Sequence, residues 1–450
     1  MITISYITLF TVTLIAFLIL MRGTVFQISL RNNVLGGALI AREIFILILL
    51  GSALFGIYGP SQFNTVHVKA DTVHETGSAI FTSTLLLITS ISIFSNTLFR
   101  RYLRLDKSRQ TTDSANIAAV KTLIRSVAIL LFALTVASQL TGMSHAFWKS
   151  LYEGGDLLTN RLANRYSSET PSHIKAYLKY SYCLLTALLG FFGSGHIKGA
   201  ERIAYISLIT YSSTLSGEKA SIVQAIIVYA VCRASSTNIK PAKLLLAGGV
   251  ILALTVTLIF VAVRIQYPTI TTEEFALYLI DRLGVGQIQG VYEQLSLKLM
   301  DWEYVLIEVP FIGFFTEPKI FSKDLMLSTW AQGMNPSDVG VMNTFFIAEA
   351  YAIGGPLLLY LSPIFVAFNF CLITHISCKI FKLHFSITKK DAQLIIPIFI
   401  SSILMFTGDL NGMLLGKRLF LILIFYASIF AIKTILENIN KTRPNQNRIR

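Results

Sequence analysis

The chain has 450 residues, 54% of them hydrophobic and only 14% charged, and its mean hydropathy is +0.64. Soluble domains carry roughly a quarter charged residues, so this composition excludes an ordinary soluble enzyme and predicts an all-α polytopic membrane protein. The formal charge of +14 suits cytoplasmic loops and a tail beside anionic lipid, and no nucleic-acid partner is expected.

Cys183, Cys232, Cys371 and Cys378 all lie in or at the ends of apolar runs, so no extracytoplasmic disulfide framework is indicated. The N-terminus has neither a basic leader region nor a small-residue cleavage site, and reads as a first membrane helix over 2–21. Arg22, Arg31 and Arg42 follow and mark a cytoplasmic stretch, with a second helix over 44–58. The loop 59–77 is expected outside. A third helix over 78–98 leads to Arg100, Arg101, Arg104, Lys107, Arg109 and Lys121, the strongest cytoplasmic marker.

A fourth helix over 123–140 goes out to the loop 141–173, with Trp148, Tyr152, Arg161, Arg165 and Tyr166. A fifth over 177–193 returns to His196, Lys198 and Arg202. Two short helices over 203–215 and 220–231 are joined by Ser216-Gly217-Glu218-Lys219, which alternation puts outside. After Arg233, Lys240 and Lys243, an eighth helix over 244–263 leads to the longest interruption in the chain, 264–342. A connection this long is expected to be functional, and its Trp, Phe, Leu and Val content argues against disorder.

A ninth helix begins near Asn343, with Glu349 near its outer end. Ala348, Ala350, Ala352, Gly354 and Gly355 permit close packing or a broken first turn. Lys379, Lys382, Lys389 and Lys390 are inside, and a tenth helix over 394–407 exits to Asp409, Asn411, Lys417 and Arg418. The last helix ends in a basic cytoplasmic tail. The reading is one transmembrane domain over 1–450 of about eleven helices, with a periplasmic loop over 264–342.

Lys and Arg are ordinarily depleted from short outer loops. Here Arg161, Arg165, Lys219, Arg264 and Arg282 all fall outside. Such cations suit a lipid-linked phosphate or pyrophosphate at headgroup level, and equally suit a solvated loop surface. Glu349, a carboxylate among small and apolar residues, is expected to have a raised pKa. It serves either as a general base or as the partner of an arginine. Asp301-Trp302-Glu303 and the group His67, Asp71, His74 and Glu75 lack fixed metal-ligand spacing. Gly284, Gly286 and Gly290 miss the dinucleotide fingerprint by one residue.

The plan of many helices with a large late loop, the turn Ser216-Gly217-Glu218-Lys219-Ala220-Ser221, the Arg282-Leu283-Gly284 stretch and the segment from Asn343 to Gly355 together resemble the Wzy-type O-antigen polymerases. Lys219 stands where the wider superfamily usually has Arg. The resemblance implies a multi-spanning, GT-C-type glycosyltransferase of the bacterial inner membrane with its active face periplasmic, using neither metal nor cofactor. Its partners would be undecaprenyl-pyrophosphate-linked oligosaccharides, as donor and as acceptor, the surrounding membrane lipid, and a chain-length regulator in the same membrane. Lys219, Arg264 and Arg282 would hold the pyrophosphate. Glu349, with Arg282, would be catalytic, Glu349 taking the proton of the attacking sugar hydroxyl. Arg161, Arg165 and Tyr166 would contact the glycan or the second lipid.

The alternatives are an O-antigen ligase, a flippase for the same lipid-linked unit, and a membrane scaffold. The late histidines His375 and His384 are expected inside, against the ligase, and spans nearly free of charge speak against the flippase.

Overall fold

The structure is a computed structural model that describes residues 2–29, 34–63, 65–103, 117–152, 160–161, 163–164, 169–215, 217, 219–237, 241–267, 269–308, 319–335, 339–408, 410 and 415–442. Arg165 and Tyr166, together with Arg31, Arg104, Lys107, Arg109, Ser216, Glu218, Lys240, Asp409, Asn411 and the end of the basic tail, lie outside the described residues.

Helix α1 (Ile2–Leu20) leads to a small antiparallel ribbon, β1 (Ile28–Ser29) and β2 (Val34–Leu35), with Ile28 opposite Leu35. Helix α2 (Ala38–Tyr58) contains π-helical turns over Arg42–Leu49. Then come α3 (Ala70–Leu103), α4 (Ile117–Leu140), the short α5 (Ala146–Tyr152) and α6 (Ser172–His196). They are followed by α7 (Gly199–Thr214), α8 (Lys219–Ser236) and α9 (Pro241–Gln266). Helix α10 (Thr272–Ile280) runs through a π turn at Asp281–Val285 into α11 (Gly286–Leu297). The chain ends with α12 (Phe321–Ser328), α13 (Ile347–His384), α14 (Lys389–Ile403) and α15 (Leu415–Thr442).

This is an all-α membrane fold, apart from the small ribbon. Among the described residues, five helices are long and apolar enough to cross a bilayer: Ala38–Tyr58, Ala70–Phe99, Ile117–Leu140, Ile347–His384 and Arg418–Ile439. Ser5–Leu20 and Ala220–Ser236 are shorter apolar helices. The outward faces are apolar too: Phe132 is 60% exposed and Leu357 72%. A helix apolar all round is at home in lipid. Several hydroxyls inside the apolar helices are satisfied one turn back, Thr13 to the Leu9 carbonyl at 2.7 Å and Thr374 to the Phe370 carbonyl at 2.8 Å, because hydrocarbon offers them no partner. Thr135 also meets Ser212 at 2.8 Å, joining α4 to α7.

Two packed groups share α14. In one, α13 lies along α3, and α1 lies on α2 and α3. In the other, α6 packs on α4, α7 and α8. The rings of Phe26, Phe370 and Phe406 close the centre, with centroids 5.2 and 5.4 Å apart.

The polar insert is folded in its described parts. Its first helix starts at a reciprocal cap: Thr271 Oγ1 accepts the Glu274 amide at 3.2 Å, and Glu274 accepts the Thr271 amide at 2.8 Å. The π turn and α11 then lie against α2. A Cβ on Gly51 would sit 2.5 Å from the Gly284 carbonyl oxygen, so the backbones meet directly. Further along, Tyr292 stacks on Phe55 at 4.1 Å and shares a 3.0 Å hydrogen bond with Ser52. Glu293, wholly buried, accepts the amides of Val66 at 2.8 Å and His67 at 3.0 Å.

Arg42, expected in a basic loop, lies inside α2. The helix starts earlier than the sequence suggests. Its neighbour Glu43 finds backbone and side-chain donors there, and a helix tolerates an ionisable group that has partners.

Candidate functional site

Three features built from distant parts of the chain make up the candidate site. The first is the broken start of α13. Gly355 has φ +63° and ψ −156°, a conformation open to glycine, and Pro356 follows where it can restart a helix. Residues 347–353 therefore form a separate half-helix ahead of the long one. The Ala352 carbonyl at its end accepts the Asp301 amide at 2.8 Å. Glu349 is wholly buried on this half-helix. Its surroundings include Tyr304: burial first, and then Asp324, Asp301 and Glu349, push the Tyr304 phenol up. Burial also raises the Asp324 carboxyl. Glu349 thus belongs to an acidic neighbourhood supplied by the insert.

The second feature is the strap 404–408 after α14. Thr407 pairs with Phe345 in an isolated bridge, the Phe346 amide donates to the Phe406 carbonyl at 3.3 Å, and Thr344 Oγ1 donates to the Gly408 carbonyl at 3.2 Å. The strap is held from three further helices. Glu43 of α2 accepts from Thr407, Lys179 of α6 reaches Met405 Sδ at 3.9 Å, and Gln224 of α8 donates to the Ser402 carbonyl just before it. Helix breaks at membrane depth are tolerated where protein satisfies the backbone, and they commonly line binding sites.

The third is the turn between α7 and α8. Gly217 has φ +75°, and a Cβ there would lie 2.7 Å from Arg161 Cγ and 2.8 Å from Ala146 Cβ. The Arg161 stem thus crosses directly over the turn that ends in Lys219. Asn164 ties the two segments, donating to the Ser144 carbonyl at 2.7 Å and the Leu215 carbonyl at 3.4 Å, and Lys175 donates to the Asn164 carbonyl at 2.8 Å. Arg161 Nε is buried with no hydrogen-bond partner among the described residues. His145 is adjacent, 3.1 Å from Thr214 Oγ1, and burial lowers its imidazolium pKa.

Arg161 is therefore brought onto the Gly217 turn, two residues before Lys219. Arg264 is exposed at the end of α9, its guanidinium 5.5 Å over the Phe260 ring. Arg282 sits on the π turn packed against α2. The side chains of Lys219 and Arg282 lie outside the described set. The Asp301 and Glu303 carboxylates each meet Lys319 Nζ at 2.6 Å. Gly284 and Gly290 serve close packing: a Cβ on Gly290 would lie 2.7 Å from the Asn343 carbonyl oxygen.

Sequence reasoning missed Glu43, Lys179, His145 and Glu293. For Glu43 a signal existed, a carboxylate inside the apolar run 38–50. The others had none, because their roles depend on partners far away in sequence.

No family model, no curated protein and no solved structure matches this chain.

Proposed function

We propose that this protein is a membrane glycosyltransferase of the Wzy type, polymerising undecaprenyl-pyrophosphate-linked repeat units at the periplasmic face of the bacterial inner membrane. In this reading the apolar segments amount to about eleven spans arranged as in GT-C-type enzymes, and 264–342 is the periplasmic insert. The observation that carries the reading is Arg161 lying across the Gly217 turn at the start of α8. A guanidinium and the first amides of a helix suit a phosphate or pyrophosphate, and in this reading Lys219 adds an ammonium.

The acceptor's terminal sugar hydroxyl attacks the anomeric carbon of the donor glycan, and undecaprenyl pyrophosphate leaves. Lys219, Arg264 and Arg282 stabilise the charge growing on the leaving group. Glu349 takes the hydroxyl proton. Arg161, Arg165 and Tyr166 contact the second lipid or the glycan, and a separate chain-length regulator sets the product size.

The test is deletion of the gene in a host that makes the matching repeat unit, followed by electrophoresis of the lipopolysaccharide. Loss of the ladder with retention of core plus one unit supports the polymerase. Loss of every O-antigen band indicates a ligase or flippase and overturns the reading. Arg161→Ala and Arg282→Ala, if inserted at normal levels, are expected to fail to restore the ladder.

A further inference from the structure

We propose that residues 272–285, at the start of the insert, form an in-plane membrane helix whose Leu277 and Ile280 face the acyl chains of the leaflet in which it lies. The partner is the lipid surface itself. The inference goes beyond the polymerase reading and does not depend on it.

The first turn of α10 is polar: Thr272, Glu273 and Glu274 are exposed, and Glu274 is engaged in the cap at Thr271. From Phe275 to Ile280 the chain carries no charge. Phe275 is buried, whereas Ala276, Leu277 and Ile280 are exposed, Leu277 at 67% and Ile280 at 48%. Those three share one face, because helix positions three and four apart are neighbours. Helical dihedrals continue through Ile280, Asp281 and Val285, so α10 and α11 form one rod bent at the π turn.

Two contacts fix how deep this stretch lies. Phe275 meets Phe260 of α9 edge to face, with ring centroids 4.8 Å apart. Phe260 is six residues before the end of α9 at Gln266, about 9 Å along the helix. At the other end of the stretch Gly284 meets Gly51, seven residues before the end of α2 at Tyr58, or about 10 Å. Both ends therefore lie at a similar depth below the ends of two different membrane helices, and the rod between them runs across the bundle. Beyond the bend it climbs outward: Tyr292 reaches Ser52 and Phe55, Glu293 reaches Val66 and His67, and Ser296 Oγ lies 3.2 Å from Thr72 Oγ1. Interfacial helices bury their apolar face about 5–10 Å into the boundary of headgroups and acyl chains, which is the depth found here. The neighbouring surface is of the same kind. Leu246, Val250, Leu254 and Val261 are exposed along one face of α9. That row ends at the exposed Arg264, whose guanidinium lies 5.5 Å over the Phe260 ring. A cation that closes an apolar row marks the headgroup level, and α10 docks on that same ring.

The test uses the full-length protein in vesicles of phosphatidylcholine and phosphatidylglycerol. The four native cysteines are buried, so single cysteines introduced by Leu277→Cys and Ile280→Cys can carry a nitroxide label. Leu254→Cys serves as the lipid reference and Trp302→Cys as the aqueous one, both native side chains being exposed. Electron paramagnetic resonance reads collisions of each label with oxygen, which concentrates among acyl chains, and with a water-soluble nickel chelate. The labels at 277 and 280 are expected to lose access to the chelate and gain access to oxygen, as at 254. Chelate access equal to that at 302 overturns the proposal. Loss of access to both reagents also overturns it, because a protein surface or a second copy then covers the face. Where either variant fails to insert, Ala276→Cys reads the same face with a smaller change of side chain. A lipid-like pattern in a protein that builds no ladder keeps the in-plane helix and sinks the polymerase reading alone.

Discussion

One Glu43 carboxylate oxygen accepts both the Thr407 amide, at 2.8 Å, and the Thr407 hydroxyl, at 2.9 Å, across 364 positions of sequence. That pair fastens α2 to the strap, and the strap in turn pairs with residues 344–346 ahead of the half-helix that carries Glu349. Removing the acceptor leaves a part-buried amide unsatisfied. Glu43→Ala is expected to cost about 2–3 kcal/mol, and Thr407→Val, which keeps the amide, about 1 kcal/mol. Thermal unfolding in detergent measures both. Equal melting of Glu43→Ala and wild type removes this contact from the stability of the fold.

The contact of Gly51 with Gly284 leaves no room for a methyl group, whereas nothing lies within 4 Å of a Cβ on Gly249 in α9. Gly51→Ala is expected to destabilise by about 1–3 kcal/mol through overpacking. Gly249→Ala is expected to be neutral, or to stabilise by up to about 1 kcal/mol through helix propensity. The signs are opposite for the same chemical change, and thermal unfolding of the two variants tests this. A stabilised Gly51→Ala protein contradicts the direct backbone approach.

The Lys319 hydrogen bond, followed by that from the Glu303 amide, holds the Asp301 carboxyl below the usual carboxylate range, and the two carboxylates raise the Lys319 pKa. The carboxylate contribution is present above its unfolded pKa of about 3.9 and lost as pH falls through the lowered folded value. The ammonium contribution is present below about 10.4 and lost as pH rises through the raised value. The melting difference between wild type and Lys319→Met should therefore be flat between those limits and shrink outside them. A difference that persists unchanged in strong acid removes the ion pair as its cause.

All four cysteines are buried, so the native protein gives little background with a membrane-impermeant thiol reagent. Trp302 is 62% exposed on the insert. Trp302→Cys is expected to label from the periplasmic side of intact cells. Labelling only after the membrane is opened would invert the proposed topology.

Glu349 shows how far sequence reading reaches. Its surroundings of small and apolar residues identify a buried carboxylate, and Gly354-Gly355-Pro356 identifies a weak point in the helix. Its neighbour Tyr304 and the exact break are not legible, because they depend on where a distant segment docks. Gly284 is similar: sequence spacing suffices to reject a nucleotide loop, but only packing against Gly51 gives the glycine its purpose. Arg42 was hidden for a different reason. A charge at the edge of an apolar run reads as a loop until a partner for its neighbour Glu43 is found.

By itself the sequence determined that this is a helical membrane protein, because apolar runs have no other stable solution in lipid and helices satisfy their own backbone locally. It also determined which ionisable groups are few enough to matter. Tertiary structure alone decided which of them meet. Arg161 joins the Gly217 turn, Glu43 joins Thr407, and Lys179 joins Met405 through contacts spanning many tens to hundreds of residues. Such pairings follow from helix packing over long separations, and no local preference of the chain encodes them.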